Sequence, residues 1–351
     1  MAIPAGIAAA FAKQAAFCRF SGSPLTALVC EAAMLAIDER SATGRAIIAW
    51  PGEPSADALM MRFTGGCNAL VRAGATPALA ALYPPATLPD VAVMAAALRA
   101  VLADPGLDAR LCGWLAGPPQ TNEVARSGVL MPGLMAIAAA TCLPLRLFEL
   151  GSSAGLNLNL DRFGYALGGV AAGDAGSALQ LAPAWTGSPP PAATVMIAAR
   201  RGVDINPLNI ADAATRARLM AYVWPDQAER VARATAAMAL AQAFPPPVER
   251  GDAGEWVEAH VSTLSGSVAV VFHSIAWQYF PLATQARIAA HMAATGATAT
   301  ADASLAWLRY EMDDATQAEL PTLRLTLWDG GAPTETLLAR VHPHGAFVQW
   351  L

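Results

Sequence analysis

The chain has 351 residues, 55% of them hydrophobic and 14% charged, with a formal net charge of −5; it has ample apolar surface to offset the entropy of folding, which excludes disorder as the main state. The acidic balance offers no broad basic footprint, so nucleic acid and anionic membrane surfaces are excluded as default partners. Five cysteines without a CxxC pair, and no HExxH or His/Cys cluster, point to scattered thiols in a reducing cytoplasm and to no metal site.

From Ile7 to Thr141 alanine-rich apolar repeats at three- and four-residue spacing predict helices, broken at Gly22–Pro24, Pro51–Pro54, Pro84–Pro89 and Gly117–Pro119. The uncharged run between Arg126 and Arg146 is nearly long enough to cross a bilayer, but Pro132, Gly133, Thr141 and Pro144 interrupt it, which favours a core helix over a membrane span. Ala2–Phe17 has no basic residue before it and carries Lys13 within it, unlike a secretory signal. Residues 1–143 are therefore expected to form an all-α N-terminal cap region and 144–351 an α/β domain.

At Leu145 the texture changes. Leu145–Leu150 reads as a buried strand, and Gly151-Ser152-Ser153-Ala154-Gly155 as a turn into a helix start. Residues 164–194, dense in glycine and proline, predict an irregular or hairpin insertion. Strands are expected at Thr194–Ile205, Val248–Asp252 and Val268–Ser274, alternating with helices at Ala211–Ala243, Gly254–Leu264 and Leu282–Ala294. Four further strands are expected at Ala299–Glu311, Leu323–Trp328, Thr336–Val341 and Ala346–Trp350. The first two are only about ten residues apart, which is short for a parallel crossover, so the sheet is expected to end antiparallel.

Three strand ends carry the chemistry. Glycines at a strand-to-helix turn let backbone approach a ligand closely beside unpaired helix N–H groups. Gly202-Val203-Asp204 then ends a strand with a carboxylate suited to two ribose hydroxyls. Glu249-Arg250-Gly251-Asp252-Ala253 ends another, suited to an adenine amino group.

This succession resembles the class I S-adenosylmethionine-dependent methyltransferases over roughly Leu145–Trp328. The resemblance implies a Rossmann-like, mostly parallel sheet, S-adenosylmethionine as cofactor and a small-molecule acceptor. It places Glu149, Gly151, Ser153 and Gly155 around the methionine part, Asp204 at the ribose, and Asp252 with Ala253 at the adenine, with Ser152 and Asn157 also among the cofactor-binding residues. His273, at the end of an apolar strand, and Tyr279 are the candidate bases for an acceptor that must lose a proton. Trp277 and Gln278 are candidates for the acceptor pocket. Asn122, Glu123 and Arg126 are either a helix cap or a lid that reaches the cofactor groove, with Arg126 anchoring a carboxylate on the ligand or on Glu149. Trp307, Trp328 and Trp350 are expected to pack the sheet, and Arg309 to pair with Glu311. More narrowly, Gln120–Val124, Glu149–Asn159, Trp224–Gln227 and Trp307–Glu311 look like an uncharacterised bacterial family known only as a domain of unknown function.

Two alternatives use the same residues. One is ligand binding without turnover on the same scaffold. The other takes Gly151-Ser152-Ser153-Ala154-Gly155 as the G-x-S-x-G elbow of an α/β-hydrolase, with Ser153 as nucleophile, Asp252 as acid and His273 or His342 as base. Helices upstream where that fold needs strands, and a Glu149 without a role, rank it lower.

Overall fold

A computed structural model describes residues 3–312 and 320–351. The chain divides into two compact units. The first contains the residues up to Thr121 together with Asp212–Ala234, and the second Asn122–Ala211 together with Thr235–Leu351. The division thus falls ahead of the 143/144 boundary expected from sequence, and a later helical segment, Ala213–Ala221, belongs with the first unit.

The first unit is helical. Pro24 and Pro105 open helices Pro24–Ala36 and Pro105–Leu115, where a missing N–H has no intrahelical role to lose. The core includes Phe11, Phe63, Met94, Leu98 and Leu111. Within it the Trp224–Gln227 run is an anchor: Asp226 accepts the Ser23 hydroxyl at 2.6 Å and the Leu25 N–H at 2.8 Å, capping helix Pro24–Ala36 from a distant part of the chain. The Asn68 amide donates to the Ala221 and Val223 carbonyls at 2.9 and 3.0 Å.

In the second unit, β1 (Leu145–Leu150) is succeeded by β2 (Gly164–Leu167), β3 (Val170–Gly173), β4 (Gln180–Leu181) and β5 (Ala184–Thr186). Then come β6 (Ile197–Asp204), β7 (Val248–Arg250), β8 (Ser267–Ser274) and β9 (Ala303–Glu311). The last strands are β10 (Thr322–Trp328), β11 (Thr334–Val341) and β12 (Phe347–Trp350). Nine of them form one sheet in the order β5-β12-β11-β10-β9-β8-β1-β6-β7. β7, β6, β1, β8 and β9 run parallel, whereas β9 to β12 form an antiparallel meander. The expected mostly parallel sheet with antiparallel C-terminal strands is therefore present. The insertion is a small sheet of β3, β2 and β4, while β5 leaves it to pair with β12 at the edge of the large sheet.

β8 is buried along nearly its whole length, as a near-continuous apolar run predicts for a strand covered on both faces. Phe148 and Leu150 of β1 join a core with Trp256, Val257, Ile288 and Met292 of helices Ala253–His260 and Leu282–Gly296. Strand alternation turns Leu147 and Glu149 to the opposite face. Helix Ser127–Thr141 packs in this unit, where Gly133 lies so close to Leu308 that a Cβ would meet its Cδ1 at 2.7 Å. Among the described residues the stretch Val124–Thr141 is long and apolar enough to span a membrane by length and composition alone, and 72% of it is buried inside the protein.

The single helix expected over Ala211–Ala243 is two, Ala213–Ala221 and Ala228–Ala243, and the helix start expected after the glycine turn is a kinked 3-10 helix, Leu156–Arg162. Leu156 to Leu160 are all buried, so no polar face is left for a surface helix. Asn157 accepts the Ser127 hydroxyl at 2.7 Å and Asn159 donates to the Phe244 carbonyl at 2.9 Å. Asparagines tied in this way to distant groups compete with a regular helix.

Candidate functional site at the carboxyl end of β1

From β1 the chain moves to β6 and β7 on one side, then to β8 and β9 on the other. Order reverses at β1, and ligand crevices in open α/β sheets form at such a point, outside the carboxyl ends of the strands. Glu149, Asp204 and His273 all sit at that end, since Glu149 pairs in register with Gly202 and Phe272.

The turn after β1 is held from β6. Gly151 and Ser152 donate their N–H groups to the Val203 carbonyl at 2.9 and 3.0 Å. Asp204 accepts the Ser153 N–H at 2.8 Å on one oxygen and the Asn206 N–H at 2.8 Å on the other. Gly151 and Gly155 both have φ of +69°, a region that favours glycine. A Cβ on Gly151 would lie 2.8 Å from the Ala276 Cβ, and one on Gly155 2.6 Å from Val248 Cγ2. Ser153 adopts φ +55° without being glycine. Ser152 turns its hydroxyl back to the Glu149 carbonyl at 2.8 Å.

Two polar atoms here are buried without a hydrogen-bond partner among the described residues, Glu149 Oε2 and Ser153 Oγ. Such atoms are uncommon, because an unsatisfied buried acceptor loses its hydration with nothing in return. Burial, with repulsion from Asp204, pushes the Glu149 pKa up to about 8, and the positive charge of Arg126 opposes the shift. A donor or a cation brought by a ligand would satisfy Oε2 and restore the carboxylate.

The other candidate side chains are mostly engaged with backbone. Glu123 accepts the Ala125 N–H at 3.1 Å and caps the short helix that follows it, whereas Asn122 accepts the N–H of Leu156, far along the chain, at 2.9 Å and so ties its segment to the end of the glycine turn. Arg126 donates to the Ser274 and Pro343 carbonyls at 3.0 and 3.1 Å, joining the end of β8 to the loop after β11. Asp252 caps helix Ala253–His260 through the Gly254 and Glu255 N–H groups and also accepts the Thr284 hydroxyl at 2.8 Å. Burial acts to raise the Asp252 pKa, but the Glu255 N–H, the Thr284 hydroxyl and the Gly254 N–H outweigh it and leave the pKa below the usual carboxylate value. Tyr279 and Gln278 are exposed, and Trp277 stacks on His273 with ring centroids 5.0 Å apart.

His273 is fully buried and both ring nitrogens are engaged: Nδ1 lies 2.7 Å from Glu311 Oε1, and Nε2 accepts the Trp307 Nε1–H at 3.1 Å. That arrangement leaves no nitrogen to take a proton, which argues against the expected role as base. Arg309 pairs with Glu335 at 2.6 Å, not with Glu311. Reading the sequence alone missed Ala276, Phe280 and Glu311. The register of β8 against β9, which sets His273 opposite Arg309 and leaves Glu311 diagonal to it, is not written in either strand.

Among the described residues no group of three or more His, Cys, Asp or Glu is arranged to hold a metal ion. No curated protein and no solved structure matches the chain. The profile of the family described as "Uncharacterized protein conserved in bacteria (DUF2332)" matches residues 8–350, and the chain belongs to that family.

Proposed function

We propose that the crevice at the end of β1 binds S-adenosylmethionine and that the protein is a methyltransferase acting on a small molecule. The observation that carries the reading is Glu149: a buried carboxylate with an unpartnered oxygen and a pKa near 8, beside a glycine turn at the reversal point of a parallel sheet. The order β7-β6-β1-β8-β9, with acids ending β1 and β6, supports a nucleoside-containing cofactor. Bound S-adenosylmethionine would supply an activated methyl group on a sulfonium. Glu149 would balance a cationic group of the ligand. Asp204 retains lone pairs for hydroxyls beyond the two N–H groups it already accepts. Ala253, first in its helix, brings an N–H with no intrahelical acceptor.

Ligand binding without turnover has one observation in its favour, the engagement of both His273 nitrogens. Titration calorimetry with S-adenosylmethionine and S-adenosylhomocysteine, followed by an assay for S-adenosylhomocysteine release with candidate acceptors, tests both readings. Binding with release supports the enzyme, and binding without release the alternative. No binding at millimolar ligand would reject the cofactor.

A further inference from the structure

We propose that His273 is a positioning residue, which acts through Glu311 to hold the turn Ile275–Trp277 against the glycine turn after β1. The inference rests on the reading of this crevice as a ligand site, but its main test needs no ligand. A single oxygen, Glu311 Oε1, takes three contacts: His273 Nδ1 at 2.7 Å, the Ala276 N–H at 2.9 Å and the Trp277 N–H at 3.2 Å. Trp307 donates to the far side of the ring at 3.1 Å. This pattern, donor at Nδ1 and acceptor at Nε2, fits one neutral tautomer and fixes the ring on both sides. A ring held so firmly sets the rotation of the Glu311 carboxylate, and that rotation decides whether one oxygen meets both backbone amides.

The turn needs such a clamp. Ile275 is β-branched and adopts φ +49°, a conformation that persists only where its surroundings impose it. Its own N–H is tied to the Tyr310 carbonyl at 2.8 Å. The residues after Ile275 pack against the glycine turn after β1. Ala276 fills the space that a side chain on Gly151 would need, Phe280 lies beside it, and Trp277 stacks on the His273 ring with planes 16° apart. A residue that merely filled volume between β8 and β9 would need neither of the two matched hydrogen bonds, and a general base would need a free nitrogen.

Hydrogen exchange read by mass spectrometry on the full ligand-free chain tests this. In His273→Ala, amides in 275–280 are expected to exchange at least tenfold faster while those of β8 and β9 stay as protected as in the native protein. His273→Asn, which keeps an N–H donor for Glu311, is expected to retain most of that protection. Unchanged exchange in 275–280, or loss spread equally through β8 and β9, would overturn the proposal. Should His273→Ala fail to fold, Glu311→Ala, which removes the accepting oxygen itself, provides the comparison: faster exchange confined to 275–280 supports the clamp and unchanged exchange overturns it. A separate arm measures S-adenosylhomocysteine affinity, expected to fall about tenfold in His273→Ala and to recover in His273→Asn. Absence of binding by the native protein would reject the cofactor reading, and the exchange result would still decide the role of His273.

Discussion

The carboxylate of Asp204, at the end of β6, accepts the backbone N–H of Ser153, in the turn after β1, at 2.8 Å. Its other oxygen takes the Asn206 N–H. One side chain thereby fixes the loops that leave two neighbouring parallel strands, and the acid read from sequence as a ribose ligand is also a backbone clamp. Asp204→Ala is expected to destabilise the second unit by about 2–3 kcal/mol, as loss of charge-assisted hydrogen bonds does. Denaturant unfolding would show the loss as a lower midpoint, and an unchanged midpoint would contradict the clamp.

Glu149 predicts a pH dependence whose sign is fixed. Its usual pKa of 4.5 applies unfolded, and about 8 applies folded, so the folded protein holds the proton more tightly. The contribution to stability is fully present below pH 4.5 and is lost as pH rises towards 8. Glu149→Gln removes the ionisation, so its stability should be flatter over this range and exceed that of the native protein at pH 8 by on the order of 4 kcal/mol. Unfolding free energies measured from pH 5 to 9 would show whether the two curves diverge upward in pH, and parallel curves would contradict the buried acid.

Ser153 separates acyl transfer from the proposed reading. Its positive φ suits a nucleophile elbow, but its hydroxyl has no hydrogen-bond partner among the described residues, and activation requires an adjacent base. A fluorophosphonate probe is expected to leave the protein unlabelled. Ser153→Ala should change stability by no more than about 1 kcal/mol, since an unsatisfied buried hydroxyl contributes little. Stoichiometric labelling that Ser153→Ala abolishes would establish a hydrolase-like nucleophile instead.

Asn122 distinguishes a structural tie from a lid. Because its side chain accepts the Leu156 N–H, Asn122→Ala is expected to lower stability by about 1 kcal/mol and to leave ligand affinity within about twofold. A large loss of affinity with native stability would give the residue a direct role in binding.

Much of the second unit was legible because parallel strands buried on both faces write themselves as apolar runs. β1 and β8 stand where Leu145–Leu150 and Val268–Ser274 predicted them, whereas β6, partly exposed and carrying Arg200 and Arg201, lies within a few residues of Thr194–Ile205 without being such a run. The 3-10 helix at Leu156–Arg162 was not legible, because its form depends on where Asn157 and Asn159 find partners far along the chain. The same limit applies to His273. Its place at a strand end was readable, whereas the Trp307 and Glu311 contacts that occupy it arise from the register of two strands. Asp252 shows a third kind of ambiguity: an acid before a helix is both a cap and a candidate ligand contact, and the cap is formed here.

The most direct test of the proposed S-adenosylmethionine site is calorimetry of binding at pH 7 in two buffers of different ionisation enthalpy, on the native protein and on Glu149→Gln. At that pH Glu149 is mostly protonated, so a ligand that places positive charge beside it should drive the proton off on binding. The native protein is expected to bind with release of a fraction of a proton, approaching one, and Glu149→Gln to bind about tenfold or more weakly without release. No binding at millimolar ligand, or equal affinity in the two proteins with no difference in proton release, would contradict it.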